Sequence, residues 1–488
     1  MEILLGDVPS YQARRLGADR WAIRHGDDVL TWSQLEDRAN RRAHALAAKG
    51  VGQDDRVVLA LPNGNPLFEL SFALWKLGAT PTIVSGRMPA GELAEILALA
   101  EPKAVIAASS ITGEIANALP PDFGADHDKC SPIQSRVARN WKILTSGGST
   151  GRPKLIVANQ PSLMNTDTAM LRQPQDSVII NPGPCHHNMP FATSVLGMVR
   201  GCSITGMVRF DPLEFLRLVE RDRPKWVTMV PTMMSRVWAL PPEQRRAFDV
   251  SSLETVIHTA APIAAWLKRA WIDWIGPDRI VEVYGGTEGV GITAITGSEW
   301  LERPGSVGRP VGCSVQVLDV HGTVLKPNQT GEIYFTPLHA TADDTFAYVG
   351  AQMRKGPAGS VSLGDNGWLD DDGYLHVIGR RTDLILRGGE NVYPAEIEDA
   401  LSECDGVAAS VVIGLPDEDL GESIHAIIEP QDPDRLPSLD AIRVHVASRL
   451  DKYKWPASYE FIAEPMRDAA GKVRRSKLRD ERTSGTGG

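Results

Sequence analysis

Cysteine is scarce, and what there is does not pair. Cys130, Cys185, Cys202, Cys313 and Cys404 are scattered over 488 residues with no C-x-x-C pair. An odd, dispersed set argues against a disulfide framework and against a zinc cluster. Positive charge is also in short supply: 51 Lys and Arg face 61 Asp and Glu, a net charge of −10. A nucleic-acid partner is not expected without a basic excess, and any polyphosphate must be met by cations concentrated locally. No run reaches the ~18 apolar residues that a membrane span requires, so no membrane partner is expected. The opening Met1-Glu-Ile-Leu-Leu-Gly-Asp7 lacks the basic and apolar regions of a signal peptide. These absences together lead to the expectation of a reducing, cytoplasmic setting.

What is present is ordinary globular composition, 42% hydrophobic and 23% charged. The length exceeds what one core supports, so at least two domains are expected. Short β-branched runs at Arg56–Ala60, Lys103–Ala107, Ser177–Ile180, Trp226–Val230, Thr255–His258 and Ile280–Tyr284 read as strands. Several are almost continuously apolar, as central strands covered on both faces are. Between them, residues 33–49 read as a helix, with Ser33 and Glu36 as a capping box. Alternating strands and helices predict an α/β fold built on doubly wound, mostly parallel sheets. After about residue 300, Gly305–Pro310, Val315–Leu318 and Gly331–Phe335 suggest a small antiparallel or β-barrel-like part. Beyond about residue 380 the chain reads as a smaller α+β domain, with Pro394 at the first position of a helix carrying Glu396 and Glu398. Only the final Ser484-Gly-Thr-Gly-Gly488 is expected to lack order.

Four motifs carry chemistry. Thr145-Ser-Gly-Gly-Ser-Thr-Gly-Arg-Pro-Lys154 follows the apolar Ile143-Leu144. Its glycines let backbone approach phosphate oxygens, while Ser146, Ser149, Thr150 and Lys154 supply donors and charge. The Walker A spacing is absent. Tyr284-Gly-Gly-Thr-Glu-Gly289 ends a predicted strand, the edge where doubly wound sheets gather ligands. There Tyr284 is a candidate to lie against a flat base, Thr287 to donate to phosphate, and Glu288 to hold a hard cation. Leu363-Gly-Asp-Asn-Gly through Tyr374, followed by Gly379-Arg-Arg-Thr-Asp383, offers Asp365 for a ribose diol and Arg380 for a nearby phosphate. Its acidic run Asp370–Asp372 reads as a solvated turn. Gly471-Lys-Val-Arg-Arg-Ser-Lys-Leu-Arg479 would, by itself, be a solvated basic helix or a weak polyanion contact.

In this order and spacing the motifs resemble the adenylate-forming superfamily of acyl-CoA synthetases, firefly-type luciferases and peptide-synthetase adenylation domains. Further matches are Leu30–Leu35, Gly305–Pro310, Gly388–Glu398, Leu415–Glu418 and Tyr453–Pro456. The resemblance implies an N-terminal AMP-binding domain over residues 1–380 and a mobile C-terminal domain over 381–488, with a hinge near Thr382. It implies an acid–thiol ligase acting in two half-reactions. A carboxylate first attacks the α-phosphate of ATP, giving acyl-AMP and pyrophosphate; the thiol of coenzyme A then displaces AMP. The cofactors and partners implied are ATP/AMP, Mg2+, coenzyme A and a carboxylic acid or acyl-AMP, with a homodimer as a further expectation. By resemblance, Ser149, Thr150 and Lys154 serve the pyrophosphate end and Thr287 the α-phosphate. Glu288 binds Mg2+, Asp365 the ribose with Arg380 close by, Tyr284 flanks the adenine, and Gly285 belongs to the cofactor-binding set. Lys472 reaches the carboxylate and bridging oxygen during adenylation, His187 lines the acyl site, and Gly388 and Gly389 border the pantetheine channel.

The chain also departs from the family pattern. Gly147 stands where many relatives carry a hydroxyl, Leu155 replaces a glycine, Thr382 stands at a hinge position that often has Asp or Lys, and Met189 replaces a small residue. Two alternatives follow: an enzyme confined to thioesterification of acyl-AMP supplied by a partner, and a non-catalytic nucleotide sensor. The Ser146–Leu155 loop and the His187-Asn-Met-Pro-Phe191 segment are similar to those of ligases for bulky alicyclic acids, which points to a polycyclic substrate.

Overall fold

The computed structural model describes the chain except residues 114, 148–152, 468–470 and 485–488. Among the described residues, a nine-stranded sheet and a six-stranded sheet form the body of a large N-terminal domain. The nine-stranded sheet runs Arg309–Val311, Ile292–Thr296, Ile280–Gly285, Thr255–His258, Trp226–Met229, Val178–Asn181, Ser203–Gly206, Trp21–His25 and Asp28–Thr31. Its six inner strands, Ile280–Gly285 through Trp21–His25, are parallel, and antiparallel neighbours close both edges. The six-stranded sheet runs Phe346–Val349, Pro153–Ala158, Ile143–Gly147, Thr80–Ser85, Arg56–Leu61 and Ala104–Ala107.

Side chains from both sheets meet in one core with the helix Asn65–Leu77. That helix is buried on nearly every side, as its all-round apolar sequence requires. Phe191, near the start of the helix Asn188–Val199, stacks on Trp141 and Phe68 in the same core. The helix after the first hairpin spans Trp32–Ala48, and its cap corrects the sequence reading. Thr31, not Ser33, is the cap: its hydroxyl accepts from Gln34 N–H at 3.2 Å, and Gln34 returns an oxygen to Thr31 N–H at 2.9 Å. Both pairs fit the S/T-x-x-E/Q pattern. The strand Asp28–Thr31 delivers the chain to the first of them, so the helix begins there.

The antiparallel part is a five-stranded sheet holding Cys313–Leu318, Gly331–Pro337, Arg354–Lys355, Val361–Leu369 and Leu375–Arg380. The Gly305–Pro310 segment meets this sheet in a bridge from Gly308 to Leu375 and adds no strand to it; the strand that follows, Arg309–Val311, pairs with Ile292–Thr296 at the edge of the large sheet. The smaller C-terminal domain has its own core, in which Ile385, Val392, Ile397 and Leu401 pack against Val412, Ile424, Ile428 and Val446. The helix Pro394–Ser402 starts with proline at its first position, as expected. No helix among the described residues is long and apolar enough to cross a membrane.

Candidate active site

The strands Ile143–Gly147 and Pro153–Ala158 pair antiparallel, with Ser146 opposite Lys154 and Gly147 opposite Pro153. Lys154 therefore stands on the second strand of this pair, opposite Ser146. The side chain of Ser146 and the whole of Ser149 and Thr150 lie outside the described residues. Lys154 Nζ lies 3.8 Å from Glu288 Oε1 and 3.7 Å from the centre of the Tyr348 ring. The Tyr348 hydroxyl donates to the same Glu288 oxygen.

Glu288 reaches this position because the chain turns at the end of the strand Ile280–Gly285. A Cβ on Gly285 would come within 2.8 Å of Ile292 and 2.9 Å of the Gly291 carbonyl. A Cβ on Gly286 would sit 2.4 Å from Glu288 Oε2. The missing side chain at Gly286 thus leaves a cradle beside that oxygen. Thr287 is half-buried between them.

Asp365 and Arg380 face each other across adjacent antiparallel strands. That cross-strand register, and not sequence proximity, is what brings them together. Arg380 Nε lies 3.4 Å from Asp365 Oδ1, and the Tyr284 hydroxyl donates to Asp365 Oδ2 at 2.7 Å. Tyr284 also packs its ring against Phe335, with centroids 5.9 Å apart. Burial pushes the Asp365 carboxyl above its ordinary value, opposed by Arg380 and the Tyr284 hydrogen bond. The carboxylate in turn holds the Arg380 guanidinium up.

Lys472 arrives from the small domain. Gly471, at φ +76°, puts its Cα hydrogen where a Cβ would lie 3.6 Å from Thr232 Oγ1 and 3.8 Å from Ala261. The charge of Lys472 is felt at both Lys154 and His187. Burial lowers the Lys154 ammonium, Glu288 opposes that, and Arg380 and Lys472 lower it further. Burial holds the His187 imidazole well below its ordinary value, reinforced by His186 and Lys472. Both effects favour the uncharged imidazole, whose ring centroid is 4.3 Å from that of His186. Lys154, depressed by both Arg380 and Lys472, forms with Glu288 and Asp365 a charged site that a polyanion would relieve.

Gly388 and Gly389 are not part of this cluster. They form the turn between Ile385–Arg387 and Glu390–Val392 at φ +59° and +88°, with Gly388 N–H donating to Leu420 at 2.7 Å. Two residues escaped the sequence reading. One is Tyr348, whose only signal is the alternating run Phe346-Ala-Tyr348-Val349. The other is Lys142, a buried lysine whose ammonium donates to Asn188, beside His187. Burial brings Lys142 from lysine's ordinary 10.5 down to about 7.

A divalent cation fits this arrangement. No group of three His, Cys, Asp or Glu side chains among the described residues is placed to hold a metal. Mg2+ needs no such cage, because it binds through one or two carboxylates and takes its remaining ligands from phosphates and water. Glu288 Oε2, beside the Gly286 cradle, is the oxygen available to it.

The comparisons with known proteins bear on the family. The family model described as AMP-binding enzyme matches residues 10–338, and that of the AMP-binding enzyme C-terminal domain matches residues 396–472. A feruloyl-CoA synthase from Amycolatopsis is 31% identical, covering 97% of this chain and 98% of its own length. A methyl-dioxo-octahydroindenyl-propanoyl:CoA ligase from Rhodococcus jostii is 27% identical, covering 96% of this chain and 97% of its own. Among solved structures, ATP-bound MatB from Rhodopseudomonas palustris superposes with a TM-score of 0.81 at 26% identity, covering 98% of this chain and 99% of its own. With the matched segments taking in the Lys154, Tyr284–Glu288 and Lys472 motifs, the chain belongs to the AMP-binding enzyme family.

Proposed function

We propose that this AMP-forming acid–CoA ligase activates a bulky, ring-bearing carboxylic acid, with the residues around Lys154 and Asp365 as its nucleotide site. One observation carries the reading. Lys154, Arg380 and Lys472 come from three distant stretches of chain, yet the charges of Arg380 and Lys472 both bear on Lys154, while Glu288 lies beside Lys154 and Asp365 beside Arg380. A carboxylate approaching a nucleotide polyphosphate is repelled, so fixed cations must neutralise the charge that develops.

In this reading Asp365 accepts from the ribose hydroxyls, with Arg380 beside it, and Tyr284 and Gly285 border the adenine. Thr287 donates toward the α-phosphate. Lys154, with Ser146, Ser149 and Thr150, takes the pyrophosphate end. Glu288 holds Mg2+, which supplies charge neutralisation of the phosphates. Lys472 stabilises the charge on the attacking carboxylate and the bridging oxygen, and neutral His187 lines the acyl pocket without acting as a base. Coenzyme A then attacks the acyl-AMP after the small domain turns, about a boundary near residue 380, to bring Gly388 and Gly389 to the pantetheine. The proximity of Lys472 to Lys154 and His187 supports the adenylating orientation here, and it weighs against an enzyme restricted to thioesterification. The ring-bearing substrate is supported by the two relatives that act, by name, on feruloyl and octahydroindenyl-propanoyl groups. Five free cysteines support a reducing, cytoplasmic setting.

The test is a panel of acids, from short-chain and fatty through phenylpropenoic to polycyclic, with ATP, Mg2+ and CoA, repeated with each preformed acyl-AMP. Thioester formation from both free acid and acyl-AMP, fastest for ring-bearing acids, is the expected result. Turnover of acyl-AMP alone would refute the adenylating half of the reading. A preference for straight chains would refute the substrate class.

A further inference from the structure

Glu398 ends the Pro394-Ala-Glu-Ile-Glu398 motif, yet it takes no part in the nucleotide site. It is the centre of a charge network in the small domain instead. Glu398 Oε1 accepts from Val412 N–H at 2.8 Å and from Arg475 Nη2 at 2.6 Å, and Arg467 lies 3.7 Å from Oε2. The second arm of Arg475 donates from Nη1 to Asp383 Oδ2 at 2.8 Å. Arg467 Nη1 donates to the Gly471 carbonyl at 3.1 Å. The chain on both sides of Lys472 is thus tied to one carboxylate: the Gly471 carbonyl through the Arg467 guanidinium, and Arg475 by its own guanidinium.

The network also reaches the junction of the domains. Asp383 closes the short helical turn Arg381–Asp383, which immediately follows Arg380. A single guanidinium therefore links that turn to the segment presenting Lys472. Arginine suits the task, because its planar fork holds two carboxylates at once in fixed directions and lysine cannot. The charges balance, two guanidiniums against two carboxylates. The Asp383, Glu398, Arg467 and Arg475 side chains are only 12–22% exposed. In such surroundings ion pairs are screened little and hold their geometry.

Lysine has a long, flexible stem, so its ammonium stabilises a transition state only where its backbone is held in place. We propose that Asp383, Glu398 and Arg475 are positioning residues for Lys472, keeping its loop in register with the interdomain turn so that the ammonium enters the adenylate site. The proposal rests on the reading of Lys472 as the adenylating lysine.

Asp383→Asn and Arg475→Lys, made in the full chain, cut the link to the turn while preserving size. Each is expected to lower ATP–pyrophosphate exchange about tenfold or more, in kcat and not in the KM for ATP. Thioester formation from preformed acyl-AMP and CoA should stay within about twofold, since this step makes no use of Lys472. The double variant Asp383→Asn/Lys472→Ala should be no slower in exchange than Lys472→Ala alone, because a residue acting through another adds nothing once that other is gone. Equal losses in both half-reactions, a further multiplicative loss in the double variant, or unchanged exchange in both single variants would overturn the proposal. The Lys472→Ala enzyme separates the two failures: exchange retained there sinks the reading of Lys472, whereas exchange lost there but kept in Asp383→Asn and Arg475→Lys sinks the network alone.

Discussion

Lys472→Ala is expected to lower ATP–pyrophosphate exchange about 100- to 1,000-fold while leaving thioester formation from preformed acyl-AMP within a few-fold. The size follows from the work assigned to the group. A preorganised donor aimed at developing charge contributes roughly 2.7–4 kcal/mol of barrier stabilisation. Lys472 is the cation that reaches the cluster from the other domain, close enough to depress both Lys154 and His187. Its removal withdraws charge from the point where carboxylate and α-phosphate meet, and leaves Lys154 and Arg380 to hold the nucleotide. The KM for ATP should therefore change much less than kcat. Comparable loss in both half-reactions would show that the lysine supports the fold of the small domain and not a chemical step.

Asp365→Ala is expected to raise the KM for ATP about 100-fold, with kcat at saturation falling far less. Each charge-assisted hydrogen bond from a ribose hydroxyl to a buried carboxylate contributes roughly 1.5–3 kcal/mol, and the diol offers two. Asp365 is well prepared to accept them. It is 8% exposed, fixed across the ladder from Arg380, and held from behind by the Tyr284 hydroxyl. Truncation also leaves that hydroxyl and Arg380 without their partner, so a drop of a few degrees in Tm should accompany the change. Asp365→Asn keeps the volume and a single acceptor oxygen, and should fall between wild type and alanine in ATP affinity. Titration of ATP binding by calorimetry, using a nonhydrolysable analogue, checks this without reference to turnover. Unchanged affinity in both variants would remove Asp365 from the ribose site.

How far the sequence alone reaches depends on the kind of contact. The central strands were legible because burial on both faces leaves a nearly unbroken apolar run, interrupted only by Thr228 in Trp226–Met229 and by Glu282 in Ile280–Val283. The glycine-rich segment before Lys154, the Tyr284–Glu288 turn and the Asp365–Arg380 pair were legible as motifs, since each lies in or beside a stretch of characteristic composition. Their convergence was not: Lys154 and Glu288 meet across 134 positions of chain through the packing of one sheet against another. Tyr348 gave no signal because its importance lies wholly in what it touches, a glutamate 60 positions away and a lysine beneath its ring. In the sequence, Glu398 shows only a local role, favouring a helix N-terminus. Its partners Arg475 and Val412 become visible only once the small domain is folded. The cap at Thr31 was misplaced by two residues because two overlapping patterns satisfied the same local rule, and strand pairing chose between them.

The central claim is that the acid passes through a mixed anhydride with AMP, and the oxygen atoms of the acid report on this directly. An acid labelled with 18O in its carboxylate, turned over with ATP, Mg2+ and CoA, should deliver one labelled oxygen to AMP and none to pyrophosphate. Thioester formed while AMP remains unlabelled, or label recovered in inorganic phosphate, would contradict it.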